Sequence, residues 1–427
     1  MSRSAKAEAV LALHRFGMGP RPGSIAAIEA DPRGALIAEL ERPSASQLAA
    51  SALPSSSKAF RTVNEANAKR QAKTIIAAKA QQEAKRQQMS DAPSMMEGGG
   101  QDANAMAAKT AAEAVPDPGR QIYLDEARIR TEAALGTEIG FVERLVWFWS
   151  NHFCISADKI QSMSGPYERE AIRPHVAGRF ADMLLAVEGH PAMLFYLDNI
   201  DSIGPNSIAG INRTRGLNEN IAREILELHT LGVRSGYTQD DVISFAKVLT
   251  GWTLLPPANN PEHGGEFSFN PRLHEPGAQK VIGKLYEDET VEQGRAVLRD
   301  LAAHPATATH LATKLARYFI ADTPPPPLVE RMAKVFVDTA GDLKEVAKTM
   351  VASDESWTQP PTKLKRPERV GRRHGAGHRH SASGSCAVHG RASPARRTLV
   401  ASHVTQRLSG RRSILDRRDG AAAGRRQ

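Results

Sequence analysis

Few cysteines, few aromatics and no long apolar run set the first limits on this sequence. Cys154 and Cys386 are its only cysteines in 427 residues. That is too few for a disulfide framework and fits a reducing compartment. No stretch approaches the ~18–20 consecutive apolar residues that a membrane-spanning helix requires. The first residues, Met1 to His14, lack an uninterrupted apolar core and a clear export cleavage site. A cytoplasmic protein without a membrane span is the default reading. Aromatics make up 5% of a chain that is 41% hydrophobic, so its core is built mostly from aliphatic residues and alanine. The body shows no zinc-finger spacing, His263 and His274 lie eleven residues apart, and the loosely spaced His374, His378 and His380 fall in the tail, so no metal ligands are assigned and the cofactor is left open.

The charge is unevenly spread. The chain carries a net +9, yet residues 366–427 alone hold fifteen Arg, no Lys and three acids. The rest is therefore slightly acidic. An Arg-rich tail raises the question of nucleic acid through phosphate neutralisation. The tail has no Phe, Trp or Tyr to stack on bases, and the body shows no zinc-finger or RNA-binding signature. No specific nucleic-acid partner is expected. The tail's few aliphatic residues cannot bury enough surface to offset ordering, which predicts disorder.

The most organised stretch runs from Asn218 to Trp252. Asn218 is placed to cap a helix start and Gly232 to end that helix in left-handed geometry. Thr238 with Asp241 three residues on predicts a capping box, and Gly251 closes the second helix. At 100° per residue, Ile221, Ile225 and Leu228 form the apolar stripe of the first helix. Asn220, Glu224 and Glu227 fall on one flank and His229 on the other. Two half-buried carboxylates need partners, for which Arg15, Arg128, Arg130 and Arg173 are the candidates.

Other polar groups join these as candidates. His14 and Arg15 precede Phe16-Gly17, and arginine is the side chain best shaped for a carboxylate or phosphate. Asn151 and His152 end an apolar helix containing Trp147, Phe148 and Trp149, which belong in the core. Glu224, Glu227, His229, Asn151 and His152 are thus the catalytic candidates, and His14, Arg15 and Asn220 those for ligand binding. Each also has a plain structural reading as a hydrogen-bonded or ion-paired group.

Along the chain, residues 1–42 open a helical body. Residues 43–118 are a low-complexity insertion, an exposed helix from about Asn64 to Gln88 followed by a linker. Residues 119–365 continue the body, with an irregular β-like flap after Trp252 and helices from Thr290 onward. Residues 366–427 are the tail. The fold class is mainly α.

These residues carry a resemblance. His14-Arg-Phe-Gly17, Phe148-Trp-Ser-Asn-His-Phe153, the block Asn218 to Gly232, Tyr237-Thr238, Leu249-Thr-Gly-Trp252 and His304-Pro-Ala-Thr307 resemble the bacterial family called domain of unknown function 1800. The likeness runs in order from about residue 8 to 365. It implies a mainly helical protein without an assigned activity, and a genomic neighbour from the sulfatase-like family called domain of unknown function 1501. It supplies no catalytic residues. After Lys363-Leu-Lys-Arg-Pro367 the sequence departs from the family pattern, and its Arg, Gly and His composition is what an out-of-frame reading of GC-rich DNA yields. The favoured expectation is a binding or accessory partner of a sulfatase-like protein. The alternative is a metal- or acid/base-dependent enzyme with its site around Glu224, Glu227, His229 and His152.

Overall fold

The computed structural model describes residues 4–42, 45–48, 53–90, 117–211, 216–233 and 235–360. Sixteen α-helices and two small two-stranded sheets are found among them. The helical body and β flap read from the sequence are what the structure shows. The linker at 91–116 and the tail at 366–427 lie outside the described residues.

The chain opens with α1 (Ala5–Arg15), α2 (Ser24–Ile28) and α3 (Pro32–Leu40). Phe16, just past α1, is the hub of an aromatic cluster. Its ring centroid lies 5.6 Å from that of Phe141, 6.1 Å from Phe319 and 5.6 Å from Trp357. Sparse aromatics are thus concentrated where distant parts of the chain meet, and each buries a large apolar area there. Arg15 is buried and donates to the carbonyls of Ser356, Gln359 and Pro360. Its charge ties the two ends of the described chain together.

The exposed helix is longer than its composition indicates. It is α4, Ser56–Ser90. Its first turn packs on the body: Ser56 donates its amide and hydroxyl to Glu170, and Phe60 lies 5.8 Å from Phe195. After α5 (Pro118–Gly136) comes α6 (Phe141–His152), whose first turn is capped by the buried carboxylate of Glu39. Glu39 accepts from the amides of Gly140 and Val142 at 3.1 and 3.0 Å, satisfying donors that a helix start leaves open. Phe148 and Trp149 are buried, while Trp147 is half-buried beneath Arg130.

Next, α7 (Ala157–Tyr167) continues as a π-helical turn, Glu168–Ile172, and a 3-10 turn, Arg173–His175, which holds Pro174. Then follow α8 (Phe180–Glu188) and α9 (Pro191–Tyr196). His190 and His304 both cap helices that begin with Pro, each ring Nδ1 accepting from the amide two residues on at 3.1 Å. Proline at the first helical position needs no amide partner, so the imidazole serves the next donor.

The central stretch differs from its helical-wheel reading. Helix α10 is short, Asn220–Glu224, and runs into a second π-helical turn, Ile225–His229. The wider turn rotates the stripe, so Leu226 is fully buried and Leu228 is 40% exposed. Asn218 does cap, accepting from the Asn220 amide at 2.9 Å. Helix α11 (Gln239–Val248) starts with the expected box, in which Thr238 and Asp241 cap each other's amides. Thr238→Ala should lower stability by about 1 kcal/mol, a typical cap loss, read as a shift in denaturant midpoint at constant slope. An unchanged midpoint would show that the Asp241 half of the box suffices.

Past Gly251, β1 (Trp252–Leu254) pairs antiparallel with β2 (Phe267–Phe269), and β3 (Gln279–Val281) with β4 (Lys284–Tyr286). The body closes with α12 (Val291–Ala303), α13 (Pro305–Phe319), α14 (Pro326–Asp338), α15 (Leu343–Ala352) and α16 (Glu355–Thr358).

Candidate functional site

Helix α8 ends with a carboxylate in the core. Phe180, Leu184 and Glu188 recur every four residues on one helical face, and all three have 0% exposure. Opposite it, the second π-helical turn delivers His229. Thr230 closes that turn by donating its amide and hydroxyl to Ile225 O at 2.9 and 2.7 Å. This geometry sets His229 Nδ1 2.8 Å from Glu188 Oε1, with His229 3% exposed. Single π turns inside helices are frequent at functional sites because they re-aim one side chain.

His152, at the end of α6, joins the pair. Its Nε2 lies 3.1 Å from His229 O. A carbonyl only accepts, so Nε2 carries the proton and Nδ1 a lone pair. That Nδ1 is buried and has no hydrogen-bond partner among the described residues, and the same holds for Glu188 Oε2. Burial, then the charges of Lys314 and His229, hold the His152 ring well below its usual pKa, hence neutral. Tyr167 donates its hydroxyl to Phe153 O at 2.9 Å, and burial followed by the Glu188 charge keeps it protonated.

Helix α13 supplies the third wall with His310 and Lys314, which are one turn apart. His310 Nε2 is 3.2 Å from Leu228 O, and its ring centroid is 6.3 Å from that of His152. Gly232 fits this contact for two reasons. Its φ is 93°, and a Cβ there would come within 2.8 Å of His310 Nδ1. Lys314 is half-buried, and loss of hydration pulls its ammonium down to about 8. Cys154 is exposed as a residue, yet the protein crowding its thiol pushes the pKa up, with Glu224 adding to the effect. Burial also raises the Glu224 carboxyl, reinforced by Glu188 and Glu227 and opposed by His229.

The structure therefore brings His152, His229 and Glu224 into one electrostatic neighbourhood. It places the other candidates differently. Glu227 is half-buried and pairs with Arg223 of its own helix at 3.5 Å. Asn151 and Asn220 are exposed, and no hydrogen bond among the described residues ties their side chains to Glu224, Glu227, His152 or His229. His14 is half-buried on α1, and Arg15 is committed to the carbonyls at 356–360. The expected arginine partners are corrected as well. Arg128 pairs with Glu132, Arg130 with Glu168, and Arg173 with Glu143 and Glu168. Glu132 shares its helix with Arg128, whereas Glu143 and Glu168 lie on different elements from the arginines they meet, Arg173 following the π turn at 168–172. Among the described residues no group of three or more His, Cys, Asp or Glu is placed to hold a metal.

Glu188, Cys154, His310 and Lys314 were missed from sequence. Glu188 left a signal, a lone acid continuing the buried Phe180–Leu184 face. The other three acquire meaning only from the meeting of α6, the π turn and α13.

The family whose model matches residues 11–371 is described as "Protein of unknown function (DUF1800)". No curated protein and no solved structure matches the chain. No helix among the described residues is long and apolar enough to cross a membrane.

Proposed function

The chain belongs to this family of unknown function, and from that premise we propose that it is an acid–base enzyme built on Glu188, His229 and Glu224. Glu188 accepts the Nδ1 proton of His229, fixes the ring and leaves Nε2 as the basic nitrogen. Glu224, whose carboxyl burial raises, is the proton donor at the rim. A carboxyl raised by burial is suited to donate a proton, and an imidazole oriented by a carboxylate is suited to accept one.

The observation that carries this reading is the fully buried Glu188–His229 pair with one carboxylate oxygen unpartnered. A buried pair adds little stability over an apolar pair of the same size, so its presence points to use. The test is an NMR fragment screen on the full chain. A binder that shifts His229 and Glu224 together is expected, with affinity falling about tenfold or more in a folded His229→Gln variant, the scale of one charged hydrogen bond. If no fragment binds there and a double apolar replacement of Glu188 and His229 raises stability, the pair is only structural.

A second reading is an accessory role toward the sulfatase-like neighbour that the family resemblance implies. It is favoured by large apolar side chains exposed on the stretches flanking the central helix: Ile208 (71%), Ile211 (68%), Leu228 (40%) and Val233 (56%). Sedimentation of an equimolar mixture of the two proteins decides it. A complex lost on Ile208→Glu supports the role, and two independent boundaries refute it.

A further inference from the structure

Helix α4 takes no part in the site above. Its base is fixed to the body. Glu170 accepts from the Ser56 amide and hydroxyl at 3.0 and 2.7 Å, and Arg61 donates to Gly264 O at 2.9 Å. A Cβ at Gly265 would come within 2.7 Å of the Phe60 ring, so the seat of that ring is close-fitting. Beyond this seat the helix leaves the body, and residues 71–87 are exposed at every position. No Gly or Pro falls within Ser56–Ser90, and the run is rich in Ala, Lys, Gln and Arg. Those residues keep a helix without tertiary packing better than most others. The result is a bare, anchored arm of about 25 Å, at ~1.5 Å per residue.

The arm is cationic. Residues 66–87 hold Lys69, Arg70, Lys73, Lys79, Lys85 and Arg86 against one acid, Glu83. Among the described residues no ion pair engages Lys69, Lys73, Lys79, Lys85 or Arg86. At ~100° per residue, Lys69, Lys73, Lys79 and Arg86 fall within roughly 140° of arc, with Ile76 near its middle. Lys69 and Lys73, one turn apart, repel each other on the helix, a cost that a bound polyanion removes.

We propose that this arm lies in the major groove of duplex DNA and holds it through phosphates, without reading sequence. DNA carries one negative charge per ~1.7 Å of its axis, and its groove of ~12 Å admits a helix ~10–12 Å across. Four cations along one face of a helix that is bare all round suit that groove. Duplex RNA is as highly charged, but its major groove is deep and narrow. A membrane or an apolar protein groove fits the arm less well, because each needs a broad apolar face. Ile75 (57%) and Ile76 (66%) are the only large apolar side chains exposed on α4 among the described residues. Phosphate contacts carry no sequence information, in keeping with the lack of a base-reading signature in the body.

The test is fluorescence anisotropy of a labelled, mixed-sequence DNA duplex with the full chain, from about 50 to 200 mM salt. The comparison is a variant carrying Lys69→Gln, Lys73→Gln, Lys79→Gln and Arg86→Gln, since glutamine keeps the helix propensity. Both proteins retain the fifteen arginines of residues 366–427, so binding by that segment is common to both. Each lost phosphate contact lowers the log–log salt slope by about 0.9, so the variant's slope should be shallower by about 3–4. Its affinity at the lowest salt should fall at least about tenfold. A second variant with Lys69→Arg, Lys73→Arg and Lys79→Arg keeps the charge and should bind as the native chain does. No binding, or a slope that the glutamines leave unchanged, overturns the proposal. Equal affinity for a duplex RNA of the same length overturns the groove and leaves charge alone. Binding to phosphatidylglycerol vesicles that the glutamines abolish, with DNA binding intact, makes the arm a membrane contact instead.

Discussion

Arg173→Met is expected to cost about 3–5 kcal/mol, the scale for breaking one side of a buried ion pair. Arg173 and Glu143 have side-chain exposures of 3% and 2%. The guanidinium reaches both Glu143 oxygens, at 2.8 and 2.9 Å, and donates from Nε to Glu168 at 3.0 Å. Glu168 also accepts from Ser150 at 2.7 Å and pairs with Arg130 at 2.8 Å. Glu143 belongs to α6, Glu168 and Arg173 to the π and 3-10 turns, and Arg130 to α5. The network therefore joins three pieces of the body.

Removing Arg173 leaves Glu143 in the core with, among the described residues, only the Trp147 indole donating to it, at 3.1 Å. An ionised carboxylate there is uncompensated, and that penalty outweighs the lost hydrogen bonds. Arg173→Lys should recover only part of the loss, because an ammonium cannot span two carboxylates in a plane. The check is urea unfolding, with the midpoint falling and the slope unchanged. Adding Glu143→Leu to Arg173→Met should restore much of the stability, since the orphaned charge goes with its partner. A single substitution costing less than about 1 kcal/mol, the range of exposed pairs, would show that water reaches the network.

How much of this was legible in the sequence follows from the range of each interaction. The Thr238–Asp241 box, the Asn218 cap and the left-handed Gly232 and Gly251 depend on residues at most four apart, and all were readable. So were the irregular flap after Trp252, as far as Glu275, and the helices after Thr290. The π turn at Ile225–His229 was not. One residue's worth of widening depends on what pulls on the helix from outside, and a fixed 100° step cannot contain it. Leu228 was consequently placed in the core, where Leu226 sits instead. For the same reason the wheel separated His229 from its flank but could not show Glu188 waiting for it.

The arginine partners failed in an instructive way. A buried cluster of acids and arginines was a sound expectation, and Arg130 and Arg173 are indeed in one. Their carboxylates are Glu143 and Glu168, not Glu224 and Glu227. Partner choice across thirty or forty residues is set by packing, and composition does not encode it. Arg15 shows the same limit, because its acceptors are main-chain carbonyls at 356–360 that no side-chain pattern announces. Within the site, His152 and His229 were visible as polar residues at ends of apolar helices. His310 and Lys314 lie on a helix whose other faces bury Leu311, Ala312, Leu315 and Phe319, and from sequence they look like its solvent face.

Lys314→Met is expected to stabilise the protein at neutral pH by up to about 3 kcal/mol, and the gain should disappear in alkali. The Lys314 ammonium has a pKa of about 8 in the folded protein against 10.5 as an ordinary lysine. Each unit of such a difference corresponds to about 1.4 kcal/mol. Folding disfavours the charged form, so the unfolded chain binds more protons between pH 8 and 10.5 and stability rises with pH across that window. Below pH 8 both states are protonated and the penalty is complete. Above 10.5 both are neutral and it is gone. Methionine has nearly the same length and no charge, so the variant lacks the penalty at every pH. Its advantage over the native chain should be flat up to about pH 8, then shrink to zero near 10.5. Methionine does not reproduce every contact of the lysine stem, which makes about 3 kcal/mol an upper figure. Denaturant midpoints for both proteins, measured in steps from pH 6.5 to 10.5, give the curve directly. A variant that is less stable at pH 7, or a difference that does not change with pH, would mean that the amine is well hydrated.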